Sequence, residues 1–297
     1  MFPKSVSLTG GKTMKSLKET AMRVRPSLSM WTARKFDKKV TGKVIEDHNA
    51  SADAGRWNKL LIAQDAIKKL VKLKGEFWTE HYRRTVPWTK DGWALLTTKG
   101  YYDYMAFVSD FKTKWEGEVW LFVMNYPAMV DEAKSRLNGM WNADDYPDAS
   151  TIKEKFGFDL DVDSLPNSKD FRVDIKDDEV KRIRDLIEEK GQERLADAMK
   201  EVWNRLYTQV SHISESLKNP KKVFRDSLIG NVTSLVNILP SLNITNDPDL
   251  ERLRREVEAK LGEQALDPQE LRTDSKKRAE AAKSASSILG AMSAYTG

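Results

Sequence analysis

The chain has 297 residues, 40% of them hydrophobic and 32% charged, the composition of a soluble protein with extensive solvated faces and enough length for one large core or two modest ones. It has no cysteine, which excludes disulfides, thiol catalysis and thiolate metal sites and fits a reducing compartment. Residues 1–99 carry 21 Lys and Arg against 9 Asp and Glu, a net of +12, and residues 100–297 carry 29 against 36, a net of −7, so the overall +5 hides two stretches of opposite sign.

The first residues, with Lys4, Lys12, Lys15, Lys18, Arg23 and Arg25 opposed only by Glu19, read as a basic flexible arm over 1–30. They lack the apolar run of a secretory signal, and Gly10, Gly11 and Pro26 argue against a continuous amphipathic transit helix. No stretch approaches the roughly 18 uncharged apolar residues of a membrane span. The β-branched residues of Val40 to Ile45 predict a short strand. Asp53 reads as a helix N-cap, followed at helical spacing by Trp57, Leu60, Leu61, Ile67, Leu70, Val71, Phe77 and Trp78. Pro87 and Gly92 break that pattern, in a loop that carries Trp88 and Trp93.

A long helix follows. Tyr101, Tyr104, Val108, Phe111, Trp115, Val119, Phe122, Tyr126, Met129, Ala133 and Leu137 step by threes and fours, the spacing of coiled-coil seams, with Pro127 placed to kink the run. After a loop-rich connector over 142–176, where Phe171, Val173 and Ile175 alternate as a half-buried strand does, a second long helix starts near Asp177. Its stripe runs from Val180 through Leu195, Met199, Val202 and Leu206 to Leu217, and Gly191 marks a bend or a break. Asn219-Pro220, Asp247-Pro248 and Asp267-Pro268 each announce a helix start, the last with Glu270 at the capping-box position. The terminal helix is rich in small residues from Ala279 to Ala294, which suits either close packing or self-association. The whole predicts a mainly α, elongated bundle built on two long bent helices with a small β element. Its regions are the arm, a basic Trp-rich helical region over 31–141, the connector, and a C-terminal helical region over 177–297 whose helices pack on the second long one.

Groupings that carry chemistry are few. His48, His81 and His212 are scattered, and none follows a glutamate by three residues as in di-iron bundles. His81 reads as a helix-surface or edge-of-core residue, and His48 as part of a polar loop rather than a metal site with Asp53. Gly10-Gly11-Lys12-Thr13 lacks the earlier glycine and the preceding strand of a phosphate loop. Asp159, Asp161, Asp163 and Asp170 match a calcium loop only in part, because Ser164 stands where the turn demands glycine. Their alternation with Leu160 and Val162 suits a strand edge or an acidic loop. The sequons at Asn49, Asn231 and Asn243 read as chance matches. No catalytic, cofactor-binding or metal-binding residue is assigned, and no cofactor is expected.

The basic residues are the remaining candidates. Arg34, Lys35, Lys38, Lys39 and Lys43 lie close together, Lys68, Lys69 and Lys72 decorate the polar face of the next helix, and Arg83 and Arg84 precede Trp88 and Trp93. Cations for phosphates and aromatics for bases are the ingredients of single-strand binding. A solvated basic face is the plainer reading, and most of the nine tryptophans fall on the apolar stripe as core. Only Trp88 and Trp93, in a Pro/Gly loop, are expected as exposed stacking platforms.

Several segments carry a resemblance. They are Met30-Trp31-Thr32-Ala33-Arg34 with Lys38-Lys39-Val40-Thr41, Val86-Pro87-Trp88 with Gly92, Asp145-Tyr146-Pro147, and Asp170-Phe171-Arg172-Val173. Leu239-Pro240, Leu242-Asn243-Ile244 and Asp247-Pro248 complete the set. Together they resemble a domain family of unknown function found mainly in bacteriophages and prophages. That resemblance implies the cytoplasm of a bacterial host cell, with partners drawn from neighbouring genes: a MoxR-type AAA+ ATPase and a von Willebrand A-domain protein similar to a cobaltochelatase subunit. The reading is then a non-enzymatic, self-associating helical scaffold, an adaptor or client in an ATPase-driven assembly. The alternative is an accessory protein that binds single-stranded nucleic acid through the basic N-terminal region, and a metal-dependent hydrolase lacks a site.

Overall fold

The computed structural model describes residues 14–166, 176–219 and 222–295. It is mainly α, with a small antiparallel β component. The chain begins with α1 (Met14–Thr20) and runs directly into β1 (Ala21–Ser29), so residues 14–29 form regular structure rather than a flexible arm. β2 (Arg34–Phe36) and β3 (Asn58–Leu60) make a two-stranded antiparallel ribbon with Arg34 opposite Leu60, Lys35 opposite Lys59 and Phe36 opposite Asn58.

Between these strands the expected strand at 40–45 is a helix, α2 (Lys38–Asp47). The local reason is capping. The Asp37 carboxylate accepts from the Val40 N–H at 3.0 Å and the Thr41 hydroxyl donates to the Asp37 carbonyl at 2.8 Å, which outweighs the weak β preference of Val40, Thr41, Val44 and Ile45. The helix expected from Asp53 starts later, as α3 (Gln64–Arg84), because Asn58–Leu60 pair with β2 instead.

β4 (Val86–Pro87) and β5 (Ala94–Thr97) form a hairpin whose turn places Gly92 at φ +94°, a backbone conformation open to glycine. α4 (Tyr101–Leu137) follows as one helix with Pro127 inside it. Most of its stripe is core as read: Tyr104, Val108, Phe111, Trp115, Val119, Phe122, Tyr126, Ala133 and Leu137 are buried, while Tyr101 and Met129 are half-buried. β6 (Gly157–Asp163) completes a four-stranded sheet in the order β4-β5-β1-β6. Phe171–Ile175, expected as the other strand, lie outside the described residues.

α5 (Asp177–Lys218) starts where expected, with Asp177, Asp178 and Glu179 at the positive end of its dipole, and it runs through a buried Gly191 without a break. Asp247 and Asp267 cap α7 (Pro248–Leu261) and α8 (Pro268–Thr273) as read, but α6 (Ser227–Leu242) starts seven residues beyond the expected Pro220. Glu270 does not complete a capping box; it pairs with Lys277 at 2.5 Å. The terminal helix α9 (Ser275–Met292) is capped by Asp274.

The chain divides into two compact units that differ from the regions read from the sequence. The first comprises Met1–Arg25, His81–Tyr104 and Asp161–Gly297; the second comprises Pro26–Glu80 and Met105–Leu160. In the first, Leu195, Met199, Val202, Leu206, Val210 and Ile213 of α5 meet Val232 and Leu239 of α6, Val257 of α7 and Ile288 of α9, so the C-terminal helices do pack on the second long helix. Each fully buried side chain of this size contributes about 1.5–3 kcal/mol. The small face of α9, Ala281, Ala282 and Ala285, is consumed in this core. The second unit is built on aromatics: Phe77 of α3 lies 4.4 Å from Phe111 of α4, Phe158 of β6 is 5.0 Å from Phe111, and Trp31 meets Tyr126 edge-on at 5.7 Å.

Candidate interaction surface

The basic residues singled out in the sequence divide between the two units. Arg83, Arg84, Trp88 and Trp93 belong to the first. Trp88 is not a platform: it is 5% exposed and part of the hydrophobic core, because the β4–β5 hairpin turns its ring inward. Trp93 is half-buried and capped by two guanidiniums, Arg23 at 4.5 Å and Arg25 at 4.8 Å from its ring centre. Those guanidiniums are held in turn by β6. Arg25 donates to Asp161 at 2.9 and 3.1 Å, and Arg23 donates to Asp163. The Arg23 hydrogen bond holds the Asp163 carboxyl below its ordinary value. This is a closed cation–π and ion-pair stack, and it accounts for two acids of the partial calcium pattern. No group of three or more potential metal ligands occurs among the described residues.

The other eight residues lie in the second unit. Lys68, Lys69 and Lys72 project from α3 and are loosely paired with Asp65, Glu118 and Glu76 at 3.6–3.9 Å. Exposed pairs of this kind contribute little and leave the cations hydrated. Lys69 and Lys72 edge a groove of about 660 Å³ between α3 and α4, whose apolar floor includes Leu73, Trp120 and Leu121. Trp120 is 60% exposed. It was missed in the sequence because tryptophans were read as stripe residues, yet it falls one position off the Val119 stripe, and that offset was the available signal.

Arg34, Lys35, Lys38, Lys39 and Lys43 are gathered on the β2–α2 module, and all five are exposed. None of the five has an ion-pair partner among the described residues. Lys38 and Lys39 occupy the first turn of α2, where the helix dipole disfavours cations and the adjacent carboxylate, Asp37, is taken up by the Val40 N–H. The module is anchored from beneath. Lys59, opposite Lys35 on β3, is buried and reaches Asp145 at 2.5 Å and the Met140 carbonyl at 2.8 Å, with Asp37 at 3.9 Å. The Trp57 N–H donates to the Thr41 hydroxyl at 3.0 Å, which ties the segment before β3 to α2.

Two aromatics accompany the cations. Phe36 of β2 is 39% exposed, with the Arg56 guanidinium 4.8 Å from its ring centre, and Trp57 is 36% exposed. Arg56 and Trp57 line a cavity of about 320 Å³ together with Thr41, Val44 and Ile45 of α2 and its C-cap His48. Phe36 is not singled out by the sequence, and Trp57 is read there as the first apolar position of a helix, whereas it precedes β3 and is partly exposed. Their signal was aromatics interleaved with Arg34, Lys35 and Arg56.

No protein-family profile matches the chain, and neither a curated protein nor a solved structure matches it. Among the described residues no helix is long and apolar enough to cross a membrane.

Proposed function

We propose that this chain is a non-enzymatic interaction protein of phage type, an adaptor or client in an ATPase-driven assembly, whose second unit holds an anionic partner on the β2–α2 module. The observation that carries this reading is the set of five exposed cations without ion-pair partners, two of them in a helix turn that disfavours them. Charges retained against a local cost are better explained by a partner than by solvation alone. The family resemblance supports the assembly and the AAA+ ATPase and von Willebrand A-domain partners. In this reading the long helices α4 and α5 each supply their own unit with a docking face, and self-association multiplies the docking surface.

The test is retention on a heparin matrix and its salt dependence. Substituting Lys38→Glu, Lys39→Glu and Lys43→Glu together should shift elution to markedly lower salt, with the helical circular dichroism unchanged. Elution of the triple variant at the wild-type position would overturn the assignment of this surface. Light scattering on the same samples reads the oligomeric state.

A further inference from the structure

We infer that the anionic partner is single-stranded nucleic acid, and that the cavity between α2 and Arg56-Trp57 receives one of its bases. The inference rests on the reading of the β2–α2 module as an anion-binding surface and adds to it a second, chemically different element.

A phosphate-binding surface needs only cations. This module also carries flat, half-exposed rings, which an acidic protein face does not require. Trp57 forms one wall of the 320 Å³ cavity, Val44 and Ile45 give it an apolar side, and His48 and Arg56 supply polar atoms at its edge. Apolar walls with a few polar groups are the makeup of a nucleobase pocket, in which the ring stacks and its edge is hydrogen-bonded.

Helix geometry places one lysine beside the cavity. Thr41, Val44 and Ile45 recur at three- and four-residue steps and so form one face of α2, which lines the cavity with the C-cap His48 at its end. Lys38 lies one turn before Thr41 on that face, whereas Lys39 and Lys43 project from the opposite side of α2, so Lys38 meets the phosphate next to a bound base and the other two lysines meet phosphates farther along the strand. The Phe36–Arg56 stack on the ribbon offers a second planar surface next to the cavity wall in sequence. Duplex DNA keeps its bases paired and stacked, and would use the lysines without the cavity.

The experiment is fluorescence anisotropy of the full chain with labelled oligo(dT), an abasic oligomer of equal length, a duplex, and polyglutamate, across a salt series. Oligo(dT) should bind more tightly than the abasic oligomer, by about tenfold for one stacked base. Trp57→Leu should erase that difference while leaving heparin retention as in the wild type. Ala54→Phe, which fills the cavity from an exposed position, should do the same and guards against a folding defect in the Trp57 variant. Removing the charges of Lys38, Lys39 and Lys43 should flatten the log–log salt slope by about 2, from three lost phosphate contacts.

Equal binding of oligo(dT) and the abasic oligomer would overturn the base pocket while the anionic surface stands. Binding of polyglutamate in preference to oligo(dT) would overturn nucleic acid in favour of an acidic protein face. Tighter binding of duplex than of oligo(dT) would overturn the single-strand assignment. Loss of heparin retention in the wild type would remove the underlying reading itself.

Discussion

His81 shows what one buried side chain does to the pH response of the whole fold. It is 1% exposed, with Nδ1 2.9 Å from the Tyr104 hydroxyl, and burial lowers its pKa to about 4. The unfolded chain binds the proton near pH 6.5 and the folded chain does not until about pH 4. Stability is therefore full above about pH 6.5, falls as pH drops toward 4, and loses nothing more from this group below that. The loss is roughly 3 kcal/mol. Urea denaturation of His81→Gln should show a correspondingly shallower decline between pH 7 and pH 4 than the wild type; parallel curves would assign the acid sensitivity elsewhere. The sequence reads His81, beside Trp78 on a patterned helix, as a helix-surface or edge-of-core residue. It could not reveal that Tyr104, 23 positions away, supplies the polar partner that permits full burial. Trp88 failed in the same direction. A Pro/Gly loop suggested exposure, but the residue lies on a short hairpin whose inward face belongs to the core.

At the scale of elements, the long stripes were legible and the short ones were not. Over 37 residues of α4 the apolar period is repeated often enough to fix the buried face, whereas the six residues Val40–Ile45 carry too few repeats to separate helix from strand, and Asp37 decided between them. The end of α5 falls at Lys218, where the stripe read to Leu217 places it, but its cap was hidden because it comes from far along the chain. Arg278 of α9 is buried and donates to the carbonyls of Leu217 at 3.1 Å, Ser216 at 2.9 Å, Lys222 at 2.9 Å and Asn219 at 2.5 Å. It satisfies carbonyls that a helix leaves unpaired, and it sets a positive charge at the negative end of the dipole. Arg278→Met keeps the apolar stem and loses the donors. It should cost about 3 kcal/mol, lowering Tm by roughly 8 °C by calorimetry. Arg278→Lys should recover little, since one ammonium lacks the planar fork that serves several acceptors at once.

At the scale of the molecule, the charge asymmetry read along the sequence is undone by folding within the second unit. Its two segments together hold 17 Lys and Arg and 17 Asp and Glu, because the basic stretch before residue 81 packs with an acidic one after residue 104. The unit is neutral as a whole, which is why the argument for an anionic partner rests on the β2–α2 cluster and not on net charge. The composition along the chain was readable; the partnership of distant segments was not, because nothing in local spacing records it. A fragment of residues 31–141, which the sequence presents as a natural region, lacks Phe156 and Phe158 and all of β1. It should therefore fail to give the near-ultraviolet circular dichroism of packed aromatics; a native-like spectrum would show that the division into units is wrong.

The chain passes from one unit to the other four times, and each passage falls inside a regular element: β1, α3, α4 and β6. On the ribosome this sets a timetable. The second unit cannot close until Leu160 has emerged, and Leu17, Ala21, Val86 and Leu95 wait for α5 before they have a core to join. Nearly half of the polypeptide is thus held unfinished until the other half arrives, and its exposed apolar faces make it a natural client for chaperones during that interval.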